Sequence, residues 1–480
     1  DSAADKYFVR DNRVVGLFIP DDNPQRAEIT KAPSADELLA NYKPQGTAQK
    51  IEAFDSSFDN LDKRTQRIDI GDIALLPKQT RGETVTVCMK FKSGDEKNLF
   101  GKANLQPVAA AMLTRGTKTM TRSEIEDRMT ELKMAGSITN FTTTRKNLPA
   151  ALELVFDAMH NSIMPQDEFD QFKKQMQVMI ESMRDKPDAL AQNAITQHFN
   201  TYPKGDPRYE YSLDESLEQL NKLTVDQVRA FYKEFGGTSR GEISIVGDFD
   251  PKTVEKIIRD DYAKYVSKAH YAPVVTEYRP VKATRVVIDT PDKENAIIVA
   301  RSVFPINDTA PDAPALTVAN WILGGGTGLS NRLIERLRQK EGLSYGAGSH
   351  VRIPAKGDNG SFVFRAIVAP QNMLQAEASA RDVIAKAIKD GFTDQEVEEA
   401  KKGLLQAMQV ARSQDDVVAR SWNDKMENQR TWVFSKKQAE AISKLTTADV
   451  NAALRKYIKP DEITFVLAGD QKKAAQKKQD

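Results

Sequence analysis

Within residues 323–345, Arg338 and Tyr345 stand seven positions apart, and the chain between them has the pattern needed to hold both. A guanidinium is a permanent cation with a rigid fork of donors, and a phenol hydroxyl is a neutral donor. Aimed at one carbonyl, the two would stabilise the negative charge that gathers there as a nucleophile adds. Leu329, Leu333, Ile334 and Leu337 recur at helical spacing, which predicts an amphipathic helix over about 330–340. Gly342 falls where a helix C-terminus favours positive φ, and residues 343–352 read as a strand. Arg338 then lies in the last turn and Tyr345 on the emerging strand. A cation complementing its own helix terminus, beside an ordinary amphipathic strand residue, would give the same pattern.

The run Gly324, Gly325, Gly326, Thr327, Gly328 precedes that helix. It lacks the Gly-Lys-Ser/Thr ending of a phosphate-binding loop, so it is read as a flexible hinge or a substrate-facing loop. No two of the four histidines, His160, His198, His270 and His350, lie within a helical turn or short loop of one another. Metal-ligand spacing is therefore missing.

As scaffold for such a site, 480 residues suffice for two to four domains, and 40% hydrophobic residues for ordinary cores. The formal charge of +1 gives no reason to invoke nucleic acid or an anionic membrane. No apolar run approaches the ~18 residues of a membrane span. The single cysteine, Cys88, excludes an internal disulfide and reads as a small core residue. The chain starts at Asp1 without methionine or leader, which reads as a processed or truncated product.

Two blocks repeat. Leu223-Thr224 and Leu445-Thr446 each begin a helix, Gly247-Asp248 and Gly469-Asp470 each end a strand, and both pairs are 222 residues apart. Upstream, each block has strands (68–76 and 84–92; 285–288 and 296–303), then a further strand with two long helices. The fold class is α+β: two homologous domains, each a mainly antiparallel sheet covered by helices. Residues 1–65 read as the end strand of a preceding domain (7–20) plus a polar linker with a short helix at 34–42. The first domain is 66–268, the second 282–470, and 471–480 a disordered basic tail.

The segment from Arg338 to Tyr345 resembles the arginine and tyrosine motif in the C-terminal half of the pitrilysin family of zinc metallopeptidases, which includes insulin-degrading enzyme and mitochondrial processing peptidase. Active members carry an H-x-x-E-H helix whose histidines hold zinc and whose glutamate deprotonates water. Here residues 101–117 end in Met-Leu-Thr-Arg-Gly-Thr, similar to the segment just after that helix, but the ligand positions hold Pro107 and Ala111 and the base position Ala110. Glu181 lies near where active relatives have a downstream glutamate ligand. The resemblance implies a zinc-free, C-terminal-type half of a clamshell, inactive alone and without cofactor of its own. It would lend Arg338 and Tyr345, behind the loop of Gly324, Gly325 and Gly326, to a peptide or unfolded protein substrate on a zinc-bearing catalytic half. That half is expected as a separate subunit, giving a heterodimer, or as the upstream part of one precursor, and the family analogy suggests a soluble periplasmic protein. The alternative is a structural or binding protein of the same fold, like the family's non-peptidase core subunits of the respiratory complex.

Overall fold

The computed structural model describes residues 2–17, 51–237, 241–262, 264–326 and 331–475. Two compact units divide the chain, residues 1–50 and 51–480. In the first, the described residues form a helix, Ser2–Tyr7, and a 3₁₀ turn, Arg10–Asn12, with no strand through residue 17. The strand expected over 7–20 is thus absent from its described part. β-branched and aromatic residues favour a strand only where a neighbour completes the ladder, and none does so there. The short helix expected at 34–42 lies outside the described residues.

In the second unit the strands are β1 (Gln66–Ile68), β2 (Asp72–Pro77), β3 (Thr84–Phe91), β4 (Ala135–Gly136), β5 (Asn140–Thr144), β6 (Gly241–Gly247), β7 (Arg285–Asp289), β8 (Ala296–Pro305), β9 (Ser344–Arg352), β10 (Asn359–Val368) and β11 (Thr464–Gly469). They make two sheets, ordered β1-β2-β6-β3-β5-β4 and β7-β11-β8-β10-β9. Within each sheet a single pair is parallel, β2 with β6 and β7 with β11, and the rest are antiparallel. The last strand of each block thus inserts between an earlier parallel and an earlier antiparallel neighbour, so the sequence duplication is also a topological one. Its main asymmetry is at one edge, where the two residues of β4 correspond to the nine of β9.

The repeated Leu-Thr pairs are helix starts. Thr224 and Thr446 each cap a helix, Val225–Phe235 and Thr447–Tyr457, through a reciprocal box with Gln227 and Asp449. The repeated glycines end β6 and β11 where a Cβ would collide, with the Thr84 carbonyl at Gly247 and with the Ala296 Cβ at Gly469.

Four helices position the rest: α1 (Leu105–Met112), α2 (Gln166–Met183), α3 (Pro187–His198) and α4 (Asp415–Glu427). Two of them cross between blocks. α3, from the first block, packs on β8 and β11, where Ala191 and Ile195 meet Ile297, Val299, Val466 and Ala468. α4, from the second, packs on β3 and β6, where Val418, Ala419 and Trp422 meet Ala74, Leu76, Cys88 and Val246. Asn423 secures α4 by donating to the Cys88 carbonyl at 3.1 Å and bonding the Ser244 hydroxyl. Each sheet therefore has one face buried under its own block's helices and the other closed by a helix from its neighbour.

Both flanks of this body are more ordered than their composition suggests. Part of the polar stretch read as linker forms a helix, Phe58–Arg64, capped by Ser57, with Leu61 fully buried against the α4 layer. The tail, expected to be disordered, has a short helix, Gln471–Ala475, because the Asp470 carboxylate accepts from the Lys472 and Lys473 amides and Lys473 pairs with Glu294 at 2.9 Å. Residues 476–480 lie outside the described ones.

Candidate functional site

α1 carries the three positions, Pro107, Ala110 and Ala111, that the resemblance assigns to zinc ligands and base. Val108, Ala109 and Met112 anchor it in the first core, while Ala110 is exposed and Ala111 half-buried. Pro107 falls in the first turn, where its missing N–H breaks no helical bond, so the fold keeps the helix without the ligand. Pro107 and Ala111, four residues apart, open onto a cleft of about 390 Å³ with Phe172, Met176 and Ile180 of α2 and Leu220 and Leu223 opposite. Glu181 is turned away, exposed and paired with Arg184 at 3.1 Å.

A zinc ion does not fit this lining. It requires about three convergent nitrogen, sulfur or anionic oxygen donors, and the lining, whose polar members are the neutral side chains of Asn104, Tyr211, Ser216 and Gln219, brings no His, Cys, Asp or Glu. Among the described residues no group of three His, Cys, Asp or Glu could hold a metal. The histidines are scattered: His198 Nε2 bonds the Lys282 carbonyl at 2.9 Å, His270 Nδ1 the Asp95 carboxylate at 3.0 Å, and His350 is exposed on β9. His160 packs beside Phe156 and Tyr265, and burial lowers its pKa.

On the second sheet, the helix expected over about 330–340 is described from Arg332 to Lys340, and its second part is wound more widely, with i→i+5 bonds. One α-turn, Arg332–Ile334, capped by Asn331, runs into a π-helical segment, Glu335–Lys340. Residues 327–330 lie outside the described ones. Leu333 and Leu337 are fully buried, as the spacing predicts, and Gly342 has φ +60°. A second π segment, Trp321–Gly325, flanks the loop on its other side. Single π turns inside helices concentrate at functional sites. Gly324 is buried, and a Cβ there would meet Ser349 Oγ at 2.6 Å and Leu333 Cδ1 at 2.7 Å, so its bareness lets this segment seat on β9. Gly325 is held as closely by Asn320, and Gly326 lies near the Trp321 ring.

Arg332 is paired with Glu396 at 2.7 Å, Arg336 with Glu341, and Lys340 with Glu335 at 2.7 Å. Arg338, in the same segment, is exposed, and its side chain has no ion pair or hydrogen bond with another described residue. Tyr345 is 69% exposed and likewise without a hydrogen bond to a described residue.

Tyr345 owes its position to a β-bulge. β10 pairs Ile367 with Gly346 and Val368 with Ser344, which skips Tyr345. Bulges of this kind re-aim a side chain. The Ser344 hydroxyl holds it: Oγ accepts from the Gly346 amide at 3.1 Å and lies 2.8 Å from the Gly346 carbonyl and 2.9 Å from the Ile367 carbonyl. Ser344 escaped the sequence reading because nothing in Leu-Ser-Tyr-Gly distinguishes a paired serine from one that staples a bulge. The segment carrying Arg338 packs on β9, and the Leu343 amide donates to the Leu337 carbonyl at 2.8 Å, fixing turn and strand together.

The fold defines the class, an M16-type fold in which no group of three His, Cys, Asp or Glu among the described residues could hold a metal. Residues 222–404 match the family profile described as the peptidase M16 inactive domain. The resemblance to pitrilysin-type peptidases is thereby shown, with the M16 inactive-domain match running over residues 222–404. An uncharacterized zinc protease of Mycobacterium bovis is 24% identical over 299 residues, covering 60% of this chain and 66% of that protein, so the match stops short of the relative's full length. The non-peptidase homolog YmxG of Helicobacter pylori is 20% identical over 404 residues, covering 80% of this chain and 89% of YmxG. Among solved structures, the peptidase M16 inactive domain from Pseudomonas fluorescens superposes with a TM-score of 0.72 at 20% identity, over 84% of this chain and 97% of that one. The periplasmic protease PqqL from Escherichia coli superposes at 0.62 and 14% identity, over 90% of this chain and 50% of PqqL. Among the described residues, no helix is long and apolar enough to cross a membrane.

Proposed function

We propose that this chain is the zinc-free half of a two-part M16-type peptidase. Its lobes, residues 66–268 and 282–470, form one side of a clamshell chamber for peptides, and Arg338 and Tyr345 reach a carbonyl held by a zinc-bearing half. The observation that carries this reading is Arg338: the one cation of its helical segment without an acidic partner among the described residues, next to a strand bulged to present a phenol. As water adds to the peptide carbonyl, the guanidinium and the phenol O–H donate to the oxygen that gains charge, each donor being worth ~3 kcal/mol in the transition state. That this chain aligns with half of a periplasmic protease supports both a second half, as subunit or as upstream part of one precursor, and a periplasmic location. The name of YmxG supports the rival reading, a structural or binding homologue with no part in hydrolysis.

The two readings separate in one assay. The zinc-bearing half is recovered on a tagged copy of this chain, and unfolded peptides are offered to each half and to both. This chain alone, stripped of metal and resupplied with zinc, is expected to be inactive. In the pair, Arg338→Ala is expected to lower kcat ~10²-fold while leaving unfolding unchanged, because the exposed side chain has no described partner to lose. Unchanged turnover would give the case to the structural reading.

A further inference from the structure

A second site lies where the two sheets meet. A cavity of about 440 Å³ is lined by Lys90 and Lys92 at the end of β3, by Arg352 and Lys356 from the second block, and by Glu427 of α4. Glu427 bonds Lys90 at 2.5 Å and lies 3.4 Å from Lys92 and 3.9 Å from Lys356. Glu242, beneath, bonds Lys92 at 2.5 Å, and Asp424 lies within electrostatic reach of Lys90. Four cations thus face three carboxylates, and Arg352 has no acidic partner among the described residues. The excess cation belongs to one block and the lysines most tightly paired to the other, so an anion here touches both.

Two further features narrow the ligand. Asn359 lines the same cavity, and its side-chain oxygen is buried without a hydrogen-bond partner. A buried acceptor calls for a donor, which a bare anion or a fatty acid's chain does not bring. The cavity also shares the walls Lys90, Phe91, Lys92 and Gln106 with a neighbouring, mostly apolar compartment of about 260 Å³, closed by Met89, Leu113 and Phe235. That is below the ~300–1,000 Å³ of pockets for whole small molecules and suits a single side chain.

We infer that this junction binds the C-terminal end of a peptide whose last side chain is apolar. The terminal carboxylate meets Arg352 and Lys356, a backbone N–H donates to the Asn359 oxygen, and the side chain enters the apolar compartment. Carboxylate capture at a chain end is a recurring mode of peptide recognition. The site deepens the peptide-chamber reading and rests on it for its ligand class.

The test uses the full chain and fluorescein-labelled octapeptides ending in leucine, as free acid and as C-terminal amide, read by fluorescence anisotropy. The free acid is expected to bind about tenfold tighter, with the difference shrinking as salt rises. Arg352→Gln and Lys356→Gln, both at solvent-accessible positions and checked for unchanged unfolding, are each expected to erase most of that preference while leaving amide binding in place. Equal binding of acid and amide overturns the inference. So does displacement of the peptide by laurate or inorganic phosphate at concentrations where a peptide acid of the same sequence fails to displace it. The chamber reading fails separately, through unchanged turnover of Arg338→Ala in the pair, a variant expected to keep its preference for the free acid here.

Discussion

Ser344→Ala tests whether the bulge is what aims Tyr345. Ser344 is 7% exposed, and its hydroxyl accepts one bond and donates one, shared between the Gly346 and Ile367 carbonyls. Alanine removes both bonds and leaves the Gly346 amide without that acceptor. At about 1 kcal/mol for a lost bond and 1–3 kcal/mol for a stranded buried group, the loss in stability should be about 2 kcal/mol. The consequence for function is larger. If the bulge relaxes into regular pairing, the side-chain alternation shifts by one and Tyr345 turns to the opposite face. Turnover in the reconstituted pair should then fall to the level of Tyr345→Phe, ~10²-fold, and the double variant should be no worse than either single one. Ser344→Thr, which keeps the hydroxyl, should recover most of the turnover. Urea unfolding reads the first quantity and kcat the second. A variant that loses its ~2 kcal/mol yet turns over like the parent would refute the idea that the staple positions the phenol.

Other expectations rest on the fold. Burial pushes the Lys425 ammonium down to about 8 from its usual 10.5, while Asp424 and Asp62 oppose the fall. Between those values the unfolded chain binds more protons than the folded one, so stability should rise with pH from 8 upward. Burial holds the Cys88 thiol at about 11 against its usual 9, which costs stability as pH rises past 9. The rise should therefore be seen cleanly between pH 8 and 9, and Lys425→Met should flatten it in urea titrations. Asn423→Ala should cost about 1–3 kcal/mol by stranding the Cys88 carbonyl and the Ser244 hydroxyl. Because α4 and α3 cross between blocks, far- and near-ultraviolet circular dichroism should show one coincident unfolding transition for both lobes, and two would refute the coupling. Equimolar Zn²⁺ should leave the melting temperature of this chain unchanged, since a bound ion would raise it.

Much of the architecture was legible because it is written in local codes. The Leu-Thr pairs are helix caps, the Gly-Asp pairs end strands, and their common 222-residue spacing is enough to reveal two copies. The lack of side-chain donors at Pro107, Ala110 and Ala111 was legible for the same reason, since proline and alanine carry none wherever they stand. What escaped notice is non-local. That α3 and α4 each cover the other block's sheet depends on which apolar stripe meets which sheet face, and amphipathic periodicity names the stripe but not its partner. The strand read at 7–20 had the composition of one and lacked a neighbour over its described part, residues 7–17. The packed helix Phe58–Arg64 was hidden by polar flanks, because one fully buried leucine is enough to seat two turns.

The two halves of the duplication have diverged in a way that makes chemical sense together. In the first block the edge strand is two residues long, and the ~390 Å³ cleft onto which Pro107 and Ala111 open is mostly apolar. In the second block the corresponding edge has grown to nine residues, acquired a bulge stapled by a buried serine, and gained beside it a π segment that bears an arginine with no described partner. A purely structural copy would gain stability from pairing Arg338 and from a regular ladder through Tyr345, and it does neither. The crossed helices add the remaining requirement, since they hold the second sheet rigidly against the first and so fix where the bulged edge points. A donor pair is useful to a carbonyl only when its geometry is set before the substrate arrives, and that is what the role proposed for Arg338 and Tyr345 requires of this scaffold.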